Sequence, residues 1–254
     1  MEPYTERMQG LERKFQDRSG LTERRYYKLF YSHLHPFPLL VLGHNPGGET
    51  DGTDLNASDG YYEAWEHDYV RFRESPSYPL ARPMCELLAR CLGTRSANAL
   101  RQVAATNLIF RRSRDSESLM VSETKAVTES KPCLVEMIRT VAPKVVLLIS
   151  TDAYKIFIKH YCVDVKSDPD SQIFTPNGRY PACLYRSATA RVVTLGKEVR
   201  LLGVAHPSKY ARRVEWPDVL GLLQQEFAGA GLRPIESTPY LHTLDDLKGY
   251  EQSA

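Results

Sequence analysis

Short, uninterrupted apolar runs alternate along the chain with longer stretches in which apolar residues recur every three or four positions. The runs are PLLVLG (38–43), VAATNLIF (103–110), KVVLLIS (144–150) and VRLLGVA (199–205). Each has the length of a strand, and none alternates apolar with polar, as expected of strands buried on both faces. ARPMCELLARCLG (81–93) predicts an amphipathic helix closed by glycine. A helix over 131–141 ends at Ala142-Pro143, and another, TDAYKIFIKHY (151–161), has Thr151 or Asp152 as its N-cap. Trp216 to Gly229 predicts a last helix, with Pro217 in its first turn. Residues 5–31 carry Leu11, Phe15, Leu21, Leu29 and Phe30 among charges. They predict a first helix, interrupted at Gly20 and stopped by His35-Pro36-Phe37-Pro38. Residues 163–198 are rich in turn formers and predict one or two short strands.

Strands alternating with helices predict a three-layer α/β/α sandwich around a central, mostly parallel four-stranded sheet. The expected organisation is a single domain over 1–254, with a basic helical N-terminal extension (1–35), a core (38–230) and a tail (231–254). In such sheets ligands bind beyond the carboxyl ends of the strands. Three polar motifs fall at those ends: His44-Asn45-Pro46-Gly47 after the first strand, Asn107 at the second, and His206-Pro207-Ser208 after the fourth.

Composition narrows the class. With 42% hydrophobic and 25% charged residues, the 254-residue chain has ordinary globular usage, and its net charge is only +2. The basic residues are nevertheless clustered: a run in the first thirty residues, a knot at Arg111, Arg112 and Arg114, and another at Lys209, Arg212 and Arg213. Glutamates alternate with the first run, which suits a solvated surface. The five cysteines are odd in number and include no Cys-x-x-Cys, which argues against a disulfide framework, a zinc ribbon or a local iron–sulfur ligand pair. MEPYTERMQGLERK is no signal peptide, and no apolar run approaches the ~20 residues of a membrane span. A reduced, cytoplasmic, monomeric protein with no membrane contact, no metal and no cofactor is the expectation.

GHNPGG (43–48) is neither a P-loop, which needs a following Lys-Ser/Thr, nor a dinucleotide fingerprint. Asp51, Asp54 and Asp59 lack the spacing of a calcium loop. Alone, such a turn is more often structural than functional. His206 is fixed by Pro207 beside Ser208, a rigid placement for a hydrogen-bond donor. Asn107 interrupts an apolar strand, which is costly unless its amide is paired. That amide offers a donor and an acceptor side by side, as the edge of a pyrimidine requires.

Together, Gly-His-Asn-Pro-Gly (43–47), Thr-Asn (106–107) and His-Pro-Ser (206–208) resemble, in order, the three signature elements of the uracil-DNA glycosylase superfamily. The segment 131–157 is similar to the helix–strand–helix between the second and third elements, and the likeness spans about Pro38 to Phe227. The Asn-Pro-Gly form most resembles the single-strand-selective monofunctional and mismatch branches, while His-Pro-Ser excludes the mismatch branch's Asn-Pro-Ser. The helix–strand–helix looks more like the iron–sulfur branch, whose paired cysteines are missing here.

The resemblance implies a uracil-DNA glycosylase-like fold and a monofunctional DNA glycosylase. Such an enzyme flips a pyrimidine out of the DNA and hydrolyses its N-glycosidic bond, in base-excision repair or in defence against phage. It implies that Asn45 holds the water, His206 donates to the departing base, and Asn107 grips the base edge. His44, Pro46 and Gly47 would line the base site, and Tyr61 or Tyr62 would stack on the base ahead of Trp65 or Phe72. Ser208, Lys209, Arg212 and Arg213, with Arg111, Arg112 and Arg114, would hold phosphates, and Tyr210 would act as wedge. The hydroxyl- and carboxylate-rich stretch 48–79 suits uracil less than a substituted base, such as the glucosylated hydroxymethylcytosine of phage DNA. The alternatives are a weakly catalytic relative that recognises a modified base without cleaving it, and a nucleotide-binding protein with no DNA role.

Overall fold

The computed structural model describes residues 2–47, 67–76, 78–94, 100–113, 118–175 and 182–232. Helix α1 (Glu2–Ser19) and a 3-10 turn (Arg24–Tyr26) precede strand β1 (Leu39–Gly43). Then come α2 (Asp68–Arg71), α3 (Ala81–Cys91), β2 (Ala104–Asn107), α4 (Glu123–Val141), β3 (Val145–Ile149) and α5 (Thr151–Tyr161). The chain continues through β4 (Cys162–Phe174), β5 (Cys183–Val192), β6 (Lys197–Val204), α6 (Pro207–Tyr210) and α7 (Trp216–Gly229). One six-stranded sheet runs in the order β2-β1-β3-β6-β5-β4. β2, β1, β3 and β6 are parallel, and β5 and β4 run antiparallel to them as a hairpin at one edge.

The continuous apolar runs explain the parallel part. Successive residues of a strand point to opposite faces, so a strand buried on both faces needs both sets apolar. Leu40, Leu42, Val146, Leu148 and Leu201 enter one core, shared with α1, α4 and α5. Leu39, Val41, Val145, Leu147, Leu202 and Val204 enter another, shared with α3 and α7. Helices therefore cover both faces of the sheet. The N-terminal segment, expected as an extension, contributes Met8, Leu11 and Phe15 to the first core.

Four expectations need correction. The sheet has six strands rather than four, because residues 163–198 form the long hairpin β4–β5. β4 is a largely exposed edge strand that carries Pro169 and several register shifts, so it lacks the apolar run of an interior strand. The first helix ends at Ser19, where Gly20 takes φ +70°. Residues 26–32 then run beside β2 and its continuation, with Lys28 N donating to Phe110 O at 2.8 Å and Tyr31 N to Ala105 O at 3.2 Å. Helix α4 starts eight residues before the predicted 131, at the cap Ser122, whose hydroxyl accepts Lys125 N. The N-cap of α5 is Ser150 rather than Thr151 or Asp152. β3 passes into the helix without a loop, so Ser150 adopts φ 108° and accepts Ala153 N.

Gly203 in β6 is required by close packing: a Cβ there would lie 2.6 Å from the Tyr154 ring and 3.0 Å from Arg186 Cγ. Overpacking of this kind costs about 1–3 kcal/mol. Gly203→Ala should lower the stability measured by denaturant unfolding by that amount, with no change in the m-value.

Candidate active site

Parallel pairing sets the site's layout. Gly43 pairs with Asn107 across β1 and β2, and Gly43 and Val204 each pair with Ile149 across β3. The turn after β1, the end of β2 and the segment after β6 therefore emerge at one sheet edge. The pairing of β1 and β2 continues past the strands. Leu108 N donates to Gly43 O at 3.0 Å, Ile109 N to His44 O at 2.9 Å, and Ser113 N to Pro46 O at 3.2 Å.

Asn45 is held within this unit. Its Nδ2 lies 3.0 Å from Pro46 O, 3.1 Å from Ser113 O and 2.7 Å from Ser113 Oγ. Its Oδ1 lies 2.9 Å from His44 Nδ1. The amide expected to hold a water thus has both its N–H donors committed to the turn, and fixes that turn to the chain after β2. His44 Nε2 is buried without a hydrogen-bond partner among the described residues, 3.9 Å from Glu123 Oε2. Pro46 is buried and Gly47 exposed.

Asn107 is 4% exposed; its Nδ2 meets no acceptor at full hydrogen-bond geometry among the described residues, but it faces the Tyr31 phenol closely enough to lower that group's pKa. A Cβ on Gly43 would lie 2.1 Å from Asn107 Oδ1, so the glycine is what leaves room for the carboxamide. Tyr31 lies beside that amide, its phenol pushed up to about 12 chiefly by burial. Lys28 Nζ sits 4.7 Å from the centre of the Tyr31 ring and pairs with the Asp68 carboxylate. Burial lowers the Lys28 pKa and raises that of Asp68, and each charge opposes the shift of the other. Tyr69, Tyr78 and Phe72 complete an aromatic group, with Tyr31–Tyr69 at 6.0 Å and Phe72–Tyr78 at 6.0 Å between ring centres. Sequence reasoning missed Lys28, Tyr31 and Tyr78. Their signal was weak, because nothing local shows that 26–32 runs beside β2. The expected stacking residues Tyr61 and Tyr62, with Trp65 and the carboxylates of 51–63, lie outside the described residues.

His206 precedes α6, and its Nδ1 lies 2.7 Å from Ser208 Oγ. Burial, aided by the charge of Lys209, lowers its pKa from 6.5 to about 4. The ring is therefore neutral at pH 7. The contact fits either direction: where the Ser208 hydroxyl donates to Nδ1, the ring proton sits on Nε2 and that nitrogen can donate. Lys209, Arg212 and Arg213 are exposed around it. Tyr210, expected as a wedge, is half-buried against the second core. The exposed apolar residue of this segment is Val214, 83% accessible, a candidate the sequence reading overlooked.

Arg111 and Arg112, expected on phosphates, are held inside instead. Arg111 makes a two-pronged pair with Glu129 at 2.6 and 3.1 Å and donates to Ser19 O. Arg112 is 5% exposed and donates to Gly47 O at 3.0 Å, bracing the turn. Arg114 lies outside the described residues. No group of three or more metal-ligating side chains occurs among the described residues, and none of their helices is long and apolar enough to cross a membrane.

No protein-family model matches the chain, and no curated protein matches it. Residues 43–47, 106–107 and 206–208, named from the sequence, share one sheet edge.

His206 predicts a pH dependence. Its folded pKa lies below the ordinary 6.5, so between 6.5 and about 4 the unfolded chain binds a proton that the folded chain refuses. Stability from this ring is complete above about pH 6.5 and declines as the pH falls towards 4. His67, buried and depressed to about 3, acts in the same sense. Unfolding free energies at pH 7 and pH 5 should differ less in His206→Gln than in the wild type.

Proposed function

We propose that the protein is a monofunctional DNA glycosylase. It hydrolyses the N-glycosidic bond of a flipped pyrimidine, either uracil or a modified cytosine such as glucosylated hydroxymethylcytosine, and leaves an abasic site. The carrying observation is a neutral histidine, His206, at the same sheet edge as the buried Asn107 amide. Helices on both faces of a sheet with four parallel strands support the three-layer fold that the resemblance implies.

The chemistry follows from the leaving group. Cleavage turns the sugar into an oxocarbenium-like species and sends the base away as an anion. Asn107 Nδ2 donates to an acceptor on the base edge, exchanging its imperfect contact with the Tyr31 phenol for a full hydrogen bond. His206 Nε2–H donates to the pyrimidine oxygen where negative charge grows. A neutral donor suits this role, because its strength comes from placement in a partly dry site and needs no proton uptake at pH 7. Tyr31 and its aromatic neighbours offer an apolar flank to a ring held by Asn107. Lys209, Arg212 and Arg213 supply the positive surface for phosphates.

One experiment separates this reading from a binding protein without catalysis. Wild type and His206→Ala are compared in single-turnover reactions on DNA containing uracil or glucosylated hydroxymethylcytosine, scored by alkali-labile sites. The wild type should cleave at one of these bases, and His206→Ala should be slower by at least ~10²-fold with nearly unchanged DNA affinity. No abasic sites from the wild type on either DNA would refute the proposal. In parallel, removing Lys209 and Arg213 together should make the slope of log affinity against log salt shallower by about 2, as two lost phosphate contacts require.

A further inference from the structure

His44 is the one catalytic-turn residue whose ring chemistry the reading above leaves unused. Its tautomer is fixed by its neighbours. Asn45 Nδ2 is surrounded by the oxygens of Pro46 and Ser113, at 2.7–3.1 Å, so the amide orientation is set and Oδ1 faces His44. Oδ1 can only accept a hydrogen bond. His44 Nδ1 must therefore carry the ring proton, and in the neutral ring Nε2 is a bare acceptor. That nitrogen is buried and has no hydrogen-bond partner among the described residues.

Glu123 Oε2, from the first turn of α4, lies 3.9 Å from Nε2. This separation is too long for a hydrogen bond between them, and two acceptors repel rather than pair. One water, donating a hydrogen to each at about 2.8 Å, bridges such a gap with only slightly bent bonds. Both of its protons are then held, and its lone pairs point away from the two acceptors. A water held in this way would be polarised as a nucleophile, a role for which Asn45, with its N–H donors taken by Pro46 and Ser113, is poorly placed.

We infer that His44 and Glu123, rather than Asn45, hold the attacking water, and that His44 Nε2 is its general base; the inference rests on the glycosylase reading. The water loses one proton to Nε2 and its oxygen bonds to C1′ of the sugar. The C1′–N bond breaks, and its electron pair leaves with the base towards His206. The imidazolium formed at His44 is met by Asn45 Oδ1 on one nitrogen and by the Glu123 carboxylate on the other. Asn45 is a positioning residue that ties this histidine to Ser113.

Two measurements on the full chain test the assignment. Long-range proton–nitrogen correlation spectra should show His44 protonated at Nδ1 and bare at Nε2, and His206 with the opposite tautomer. In single turnovers on the two DNAs named above, His44→Gln should lose at least ~10²-fold in rate, the usual contribution of general base catalysis, with DNA affinity unchanged. Glu123→Gln should lose less. A spectrum with the His44 proton on Nε2 overturns the assignment whether or not the protein cleaves DNA. A wild type that cleaves and a His44→Gln that cleaves as fast overturn it and leave the glycosylase reading standing. A wild type that releases no base from either DNA removes both.

Discussion

A missing side chain at the end of β1 sets the geometry of the whole sheet edge. Gly43 leaves open the space that the Asn107 carboxamide fills, and any larger residue would collide with it at 2.1 Å. Because Gly43 and Asn107 are paired in the parallel ladder, the turn that follows one and the chain that follows the other advance together. Hydrogen bonds from Leu108, Ile109 and Ser113 extend the pairing, Asn45 closes it against Ser113, and Arg112 reaches back to Gly47. The turn is rigid as a consequence of this pairing rather than of its glycines and proline alone. A rigid turn keeps the lone pair of His44 and the amide of Asn107 in fixed directions, as a site that must orient a small planar ring requires.

The electrostatics of the edge divide into two regimes. On the Asn107 side, Lys28 and Asp68 are buried as an ion pair, with the buried Arg112 near enough to act on both charges and bonded to Gly47 O. In the segment that follows His206, Lys209, Arg212 and Arg213 are exposed, and Lys209 acts directly on the histidine ring. Exposed charge of one sign attracts polyanions. His206 stands at the border, kept neutral by burial and by the nearby cation, and so can donate a hydrogen bond without becoming a fixed charge that competes for phosphate.

Much of the fold was legible because burial on both faces imposes a visible pattern. The four parallel strands and α3, α5 and α7 were marked by apolar runs, by helical periodicity and by end signals such as Gly93 and Pro217. The hairpin β4–β5 was not, since β4 is an exposed edge whose residues need not be apolar, with Val163 and Phe174 half-exposed among charges. The path of 26–32 was hidden for another reason: its extended form comes from pairing with β2 and Phe110, a tertiary contact with no local signature. The site divides in the same way. His44, Asn45, Asn107 and His206 could be named from residue types at strand ends. The commitment of Asn45 to Ser113, the internal pairing of Arg111 with Glu129 and the approach of Tyr31 to Asn107 depend on partners distant in sequence.

The central claim is that this edge breaks the bond between a base and its sugar by adding water to the sugar. The direct measurement is mass spectrometry of the small molecules released when the protein acts, in water enriched in oxygen-18, on DNA carrying uracil or glucosylated hydroxymethylcytosine. The account predicts an intact free pyrimidine with no heavy oxygen, in amounts equal to the abasic sites formed. No free base, or heavy oxygen found within the base itself, would contradict it.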